Sequence, residues 1–170
     1  MQPSNEVIRQ YLDNNPNPNT MPTQAAAEFG VSEWVVVSAL PPEQMSQFPL
    51  ADKDELLSSL PDWGTMTTII AVSGSIFEFK GSFPQGKYAY GYYNLITEGE
   101  GLHGHLNFDN LSAIALISRP FRGKERHSIN FFGSEGEMIF RVYLGRDSQR
   151  VLIPEQVTRF NALKERALVA

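Results

Sequence analysis

The side chains with the greatest potential for chemistry are concentrated in residues 87–106, KYAYGYYNLITEGEGLHGHL. Four of the chain's six tyrosines and two of its three histidines fall in this segment: Tyr88, Tyr90, Tyr92, Tyr93, His103 and His105. A phenolate oxygen binds ferric iron, and tyrosine and histidine both serve as axial ligands of haem. Aromatic residues are also favoured in strands, where cross-strand pairs stabilise a sheet without any ligand. The composition of the segment leaves a cofactor role and a purely structural role open.

A strand through the tyrosine-rich segment would divide these side chains between two faces. Alternate residues of a strand point to the same side of a sheet. In a single strand over 88–96, Tyr88, Tyr90 and Tyr92 are therefore expected on one face. Tyr93 is expected on the other.

The partner strand carries the two histidines, and its register depends on the turn. If residues 98–99 form the centre of a two-residue hairpin turn, Tyr92 pairs with His105. Tyr90 and His103 then lie one step away. Glutamate is poorly suited to the positive φ of such a turn, so a longer, bulged loop that shifts the pairing is the alternative.

The elements that position this hairpin follow from the hydrophobic periodicity. It predicts helices over 4–13, 32–40, 52–60 and 154–168, and one more that starts at Thr20 or Thr23 and ends at Gly30. The last helix has four apolar residues on or near one face: Val157, Phe160, Leu163 and Leu168. The stretch 14–22, rich in asparagine and proline, is expected to break the first helix. Strands are predicted over 65–72, 75–80, 88–96, 102–108, 111–118, 128–132 and 137–144, with loops elsewhere.

Helices followed by a block of strands and one more helix indicate an α+β fold with a large antiparallel, meandering sheet. We divide the chain into an N-terminal helical region, 1–62, and a sheet with a C-terminal helix, 63–170. The two parts are expected to form one compact domain.

The composition excludes several classes of function. A net charge of −5 and a pI of about 5.2 argue against nucleic acid or an anionic membrane as the main partner, although a local basic patch could override the total charge. Cysteine is absent, which removes disulfides, thiolate metal sites and thiol nucleophiles. The sequence contains neither a signal-peptide core nor an apolar run of the ~20 residues that span a bilayer. We expect a soluble cytoplasmic protein.

Residues 24–40 imitate a DNA-binding helix-turn-helix, with small residues, a central glycine and a second helix. A recognition helix presents Arg, Lys, Asn or Gln to base edges. Residues 32–37, SEWVVV, contain none of these. We interpret the pair as a packing unit or a partner surface and rank a DNA-binding regulator last among the possible functions.

Short motifs in the strand region match one protein family in order and spacing. They are WG at 63–64, TT at 67–68, GYYNL at 91–95, HGHL at 103–106, FF at 131–132 and YLGRD at 143–147. Over about residues 55–162 the chain resembles the HutX/ChuX family of cytosolic haem-utilisation carrier proteins. The resemblance implies the fold of HemS/ChuS-type haem proteins, whose longer chains carry two copies of this unit.

The resemblance also implies a function and partners. Family members take up haem b in the cytoplasm as cargo and pass it to a haem-degrading enzyme or another acceptor. A single-unit chain of this kind is expected to form a homodimer. The main alternative is an enzyme that degrades haem, because its substrate would be the same molecule as the cargo.

The resemblance assigns the haem iron to Tyr92, the tyrosine after the glycine of GYYNL. Some members are thought to use two histidines instead; one maps to His105 and the other to Ala71, which has no donor atom. We therefore expect Tyr92 to bind the iron, with His105 as second ligand, hydrogen-bond partner or pocket wall. Tyr90 and His103 are expected beside them, and no residue is assigned a catalytic role.

Basic residues could neutralise the haem propionates, since the arginine fork matches carboxylates. The segment RPFRGKER, 119–126, supplies Arg119 and Arg122, and Lys87 lies beside the tyrosines. The simpler alternative is that this segment is a solvated turn between strands. His127, which follows it, is expected to be structural.

Overall fold

The computed structural model describes residues 1–14 and 20–167. Its helices are α1 (Asn5–Asn14), α2 (Pro22–Phe29), α3 (Glu33–Ser38), α4 (Lys53–Ser59) and α5 (Pro154–Glu165). Its strands are β1 (Met45–Phe48), β2 (Thr65–Val72), β3 (Ser75–Ser82), β4 (Gln85–Ala89), β5 (Tyr92–Ile96), β6 (Gly104–Leu106), β7 (Leu111–Ser118), β8 (His127–Gly133) and β9 (Met138–Tyr143). The α+β class predicted from the sequence is confirmed.

Antiparallel pairing arranges the strands in two sheets. The large sheet has six strands in the order β1-β7-β8-β9-β2-β3, and the small sheet has three in the order β4-β5-β6. One face of the large sheet packs against the small sheet, α4 and α5 around a core that includes Phe83, Phe131 and Phe160. The other face packs against α1, α2 and α3 through Ala115 and Phe132. The small sheet and the N-terminal helices therefore lie on opposite sides of the large sheet.

The turn between α2 and α3 and the cap of α3 have the local geometry that the sequence predicts. Gly30 ends α2 with φ of 63°, a left-handed value that glycine adopts without a steric penalty. Ser32 caps α3, its Oγ accepting a hydrogen bond from the Val35 backbone N–H at 3.4 Å. Val36 and Val37 are fully buried against the sheet. The interpretation of this pair as a packing unit is confirmed.

Strand β1 and the start of α2 differ from the sequence prediction. Strand β1 lies in a segment that was expected to be loop, and it pairs with β7 from Met45↔Ile117 to Phe48↔Ile114. Helix α2 begins at Pro22, whose fixed φ suits a first helical turn, rather than at either threonine. Of the stretch expected to break the first helix, residues 15–19 lie outside the described residues, as does Leu168.

Helix α5 closes one side of the core through a polar residue as well as through apolar ones. Gln156 is fully buried, and its Nε2 donates to the backbone oxygens of Trp63 and Thr65 at 2.9 Å each. Its Oε1 accepts from the backbone N–H of Gly145 at 2.7 Å. One amide thus ties the WG and YLGRD segments to the same helix. No helix among the described residues is long and apolar enough to cross a membrane.

Candidate functional site

The tyrosine-rich segment folds into two strands, so the prediction of a single strand over 88–96 is wrong. Tyr90 and Gly91 have φ of 55° and 80°, and two positive values are typical of a two-residue type I′ hairpin turn. Tyr90 lies at the tip of this turn and is 98% exposed. Because the chain reverses there, Tyr88 does not share a face with Tyr92.

Tyr88 and Tyr93 face each other across β4 and β5; Tyr93 belongs to the core, whereas Tyr88 lies at its edge and is 48% exposed. Their rings meet edge to face, with centroids 5.0 Å apart. Tyr93 is buried and stacks on Phe108 at 5.3 Å. Gly86 makes room for it, since a Cβ there would lie 2.1 Å from the Tyr93 ring. Burial raises the pKa of the Tyr93 hydroxyl, which is typical of a packed phenol.

The hydroxyl of Tyr88 also has a structural role. It donates a hydrogen bond to Asp54 Oδ1 at 2.6 Å and so links β4 to α4. Burial and this hydrogen bond raise the pKa of Tyr88 well above its ordinary value. Of the four clustered tyrosines, two are therefore structural and one caps a turn. Tyr92 remains, half-exposed on the outer face of the small sheet.

The observed pairing of strands β5 and β6 is shifted by two residues from the register predicted for a two-residue hairpin turn. Asn94, not Tyr92, lies opposite His105. The connection is the longer alternative, with φ of 78° at Gly99 and 150° at Gly101. A shift of two residues leaves every side chain on its original face. Tyr92 and His105 therefore share the outer face, with ring centroids 5.9 Å apart.

Asn94 joins β4, β5 and β6 through its side-chain amide. Its Nδ2 lies 3.2, 3.0 and 3.2 Å from the backbone oxygens of Lys87, Ala89 and Tyr92. Its Oδ1 therefore points towards His105, whose Nδ1 is 2.5 Å away. Because an amide oxygen can only accept, these bonds assign the imidazole proton to Nδ1. The neutral His105 ring then keeps a lone pair on Nε2.

Four residues form what we call the Tyr92 face: Lys87, Tyr92, Asn94 and His105. Lys87 pairs with Asn94, which pairs in turn with His105, so the row crosses all three strands of the small sheet. Tyr92 is 46% exposed, and both Lys87 and His105 are exposed. A phenol, an imidazole nitrogen and an ammonium group are thus presented together at the surface.

His103 and His105 also line a cleft of about 220 Å³, which we call the β6 cleft. It lies between the small sheet and strands β2 and β9, and its lining includes Ile70 and Ile139. His103 Nε2 is 3.1 Å from the backbone oxygen of Gly99, which holds this ring against the loop before β6. An apolar cleft beside the two histidines could take the edge of a flat hydrophobic ligand.

The two arginines proposed for the propionates do not line the β6 cleft. Arg119 donates to the backbone oxygens of Thr20 and Leu12 at 2.8 and 3.1 Å, which anchors the N-terminal helices. Burial lowers its pKa. Arg122 lies in the turn after β7, 5.2 Å above the ring of Phe121. Of the basic candidates, only Lys87 is on the Tyr92 face.

His127 has the structural environment predicted for it. Its Nδ1 lies 2.8 Å from Ser118 Oγ, and its ring packs 5.1 Å from that of Phe160. This histidine holds β8 against β7 and α5, away from the small sheet.

Asn94 is the residue of the site that the sequence analysis missed. The signal was present in GYYNL, where Asn94 alternates with Tyr92 and so belongs to the same face of a strand. Its link to His105 could not be read from the sequence, because the predicted register placed Tyr92 there.

The fold and the Tyr92 face define an α+β protein that presents oxygen and nitrogen donors on the outer surface of a small antiparallel sheet. The chain belongs to the haem utilisation ChuX/HutX family, whose model matches residues 47–163. The chain is 44% identical over 165 residues to the intracellular haem transport protein HutX of Vibrio cholerae, covering 97% of this chain and 84% of HutX.

Solved structures carry the same fold. The haem-binding protein ChuX superimposes with a TM-score of 0.81 at 32% identity, over 95% of this chain and 96% of that one. The haem-degrading enzyme ChuS of Escherichia coli O157:H7 gives a TM-score of 0.80 at 18% identity. The match spans 98% of this chain but 48% of ChuS, so the likeness to ChuS concerns the fold of about half of the longer protein.

Proposed function

We propose that this protein binds haem b in the cytoplasm as cargo and passes it to a haem-degrading acceptor. Membership of the ChuX/HutX family and 44% identity to a protein named for intracellular haem transport support this function. The observation that carries the proposal is the Tyr92 face, which presents one accessible phenol and one accessible imidazole within the same row of strands.

Tyr92 is the proposed ligand of the haem iron. It is half-exposed, whereas the hydroxyl of Tyr88 is bonded to Asp54 and Tyr93 is buried. Ferric iron favours an oxygen donor of this kind, and coordination lowers the pKa of a phenol from its ordinary value of about 10. Binding through a single protein oxygen suits a carrier, because the cargo must leave.

His105 is proposed as the second ligand or hydrogen-bond partner, acting through Nε2. Its Nδ1 is occupied by Asn94, and a fixed hydrogen bond at one ring nitrogen orients the other for a ligand. Lys87, in the same row, is the proposed partner of a propionate. Tyr90 and His103 flank this row and are proposed to contact the porphyrin edge.

The homodimer is proposed to form through the β2–β3 hairpin. Its end exposes a group of large apolar side chains: Ile70, Val72, Ile76 and Phe77. Ile76 and Phe77 are 67% and 59% exposed on opposite faces of the hairpin, an unusual amount of apolar surface for one short ribbon. A second copy of the chain would cover it.

The proposed carrier does not itself degrade haem. A hemin titration of the apo-protein followed by its Soret band tests binding. Adding a reductant to the haem complex with catalase present tests turnover. Persistence of intact haem supports a carrier, whereas stoichiometric formation of a biliverdin-like product with release of iron would identify a haem-degrading enzyme.

A further inference from the structure

A further cavity lies at one end of the small sheet. It has a volume of about 270 Å³ and lies between the end of the β4–β5 hairpin and residues 108–110, a short 3₁₀ turn after β6. Most of its lining is aromatic: Tyr88, Tyr92, Tyr93 and Phe108. It shares no lining residue with the β6 cleft, and we call it the tip cavity.

The rings of the tip cavity combine exposed surface with firm support. Tyr88 meets Tyr93 edge to face, and Tyr93 stacks on Phe108. Tyr93 and Phe108 are buried, whereas Tyr88 and Tyr92 are half-exposed and present aromatic surface to solvent. The face of such a ring carries negative charge and attracts an ammonium or guanidinium group within about 6 Å of its centre.

Two carboxylates add negative charge to the tip cavity. Asp109 lines it and is exposed, and Asp54 accepts a hydrogen bond from Tyr88 Oη at 2.6 Å. Burial, this hydrogen bond and the negative charges of Asp54 and Asp109 raise the pKa of Tyr88. Lys53 Nζ lies 4.0 Å from Asp54 Oδ2, but the Asp109 carboxylate forms no hydrogen bond or ion pair with another described residue. Among those residues, no lysine or arginine lines the cavity.

The sign of this charge separates the tip cavity from the proposed haem contacts. Haem carries two propionates, which carboxylates repel. Lys87, the proposed propionate partner, is on the Tyr92 face and does not line the cavity. An aromatic and acidic lining instead favours a cation.

We propose that the tip cavity accepts a lysine or arginine side chain of a partner protein. Its volume is just below the roughly 300–1,000 Å³ of small-molecule sites, which favours a single side chain over a free ligand. Ala89 and Gly91, which line it, flank Tyr90, a residue that is 98% exposed. Tyrosines are enriched in protein–protein interfaces, where a few of them supply much of the binding energy. A partner bound here would lie beside Tyr92.

An NMR titration of the haem-free protein with the peptide acetyl-glycyl-arginyl-glycine amide tests this site. At low ionic strength we expect saturable shifts of the backbone amide signals of Ala89, Gly91 and Asp109. The same peptide with citrulline in place of arginine has nearly the same shape without the charge, and it should cause no saturable shift.

Two variants test the two sources of attraction. Asp109→Asn should weaken binding roughly threefold, because one exposed charge pair is lost. Tyr88→Leu should weaken it by a similar factor, because it removes a ring face. Asp109 is exposed, so its variant keeps the test valid if Tyr88→Leu impairs folding. Glu28→Gln, which removes an exposed carboxylate from α2 on the opposite side of the large sheet, is the matched control and should bind as the parent does.

Four results of this titration would overturn the proposal. They are the absence of saturable shifts, equal shifts with the citrulline peptide, unchanged affinity in Asp109→Asn, and equal weakening by Glu28→Gln. Light scattering and hemin titration distinguish other occupants, because Asp109→Asn should keep both the mass and the haem spectrum of the parent. A changed mass would assign the tip cavity to a second copy of the chain, and a changed spectrum would assign it to the haem site; either would also overturn the proposal.

Discussion

Asn94 fixes the tautomer of His105 from the neighbouring strand. The imidazole Nδ1 lies 2.5 Å from the amide oxygen, and three backbone oxygens hold the amide nitrogen in the opposite direction. A neutral imidazole with its proton on Nδ1 can donate this hydrogen bond to the amide oxygen, so the tautomer assignment does not require a charged ring. An exposed histidine thus has its Nε2 lone pair oriented by the sheet.

Substitution Asn94→Ala should release this constraint. We expect the proton of His105 to redistribute between the two ring nitrogens, as nitrogen NMR of the imidazole would report, and haem to dissociate roughly tenfold faster. Asn161→Ala, an exposed position on α5, is the control. If Asn94→Ala leaves both the tautomer and the release rate unchanged, the positioning role assigned to Asn94 is wrong.

Removal of the Tyr92 hydroxyl tests the proposed iron ligand against the structural tyrosines. Tyr92→Phe should change the ferric haem spectrum and accelerate haem loss at least tenfold, because the oxygen donor disappears. Tyr88→Phe is the matched control, since its hydroxyl bonds to Asp54 on the core side of the sheet. The control should keep the parent spectrum. An unaltered spectrum and release rate in Tyr92→Phe would exclude this phenol as the iron ligand.

Alkaline pH should destabilise the protein through two phenols, the buried Tyr93 and Tyr88, whose hydroxyl is hydrogen-bonded to Asp54. The pKa values of Tyr88 and Tyr93 are raised in the folded state above the unfolded value of about 10. The stability that they contribute is therefore complete below about pH 10 and is lost as the pH rises towards their folded pKa values. Urea unfolding across this range should show a smaller alkaline loss in Tyr88→Phe, alongside a cost of about 1 kcal/mol at neutral pH for the missing hydrogen bond. Equal alkaline loss in parent and variant would contradict the assignment.

The packing of Tyr93 depends on the absence of a side chain at position 86. Gly86→Ala would place a methyl group 2.1 Å from the Tyr93 ring, so the ring must leave its position against Phe108. We expect a loss of about 1–3 kcal/mol in the free energy of unfolding. Gly104→Ala is the control, because its Cβ would meet Leu95 at 3.8 Å, an ordinary contact. Similar stabilities for the two variants would show that the small sheet adapts without strain.

The β2–β3 hairpin should decide the oligomeric state. Phe77→Glu puts a charge into the exposed apolar group and should convert the proposed homodimer to a monomer in light scattering. The fold should survive, because Phe77 is 59% exposed in the single chain. Val151→Glu, at an exposed apolar residue outside the hairpin, should leave the mass unchanged. A parent protein that is already monomeric would refute the proposed interface.

Much of the fold was predictable because the sequence patterns that indicate it involve residues close together in the chain. The α+β class and the buried α2–α3 pair follow from periodicity and capping residues within a few positions of each other. Strand β1 was missed because four residues carry little pattern, and its pairing with β7 joins positions about seventy apart in the chain. The turn at Tyr90–Gly91 was missed because the aromatic pattern continues through it.

The sequence by itself determined which residue types were available and that Tyr92 and His105 share a face, but it placed Tyr88 on that face as well, where the structure does not. Tyr92 and His105 lie on the same side of the small sheet in either register, since a shift of two residues preserves the alternation. Tertiary structure alone decided which of the clustered phenols are buried or hydrogen-bonded, and that the Arg119 guanidinium is engaged within the protein. Asp54 engages Tyr88, the core encloses Tyr93, and backbone oxygens from the N-terminal region engage Arg119. These contacts join segments distant in sequence, so no local pattern records them.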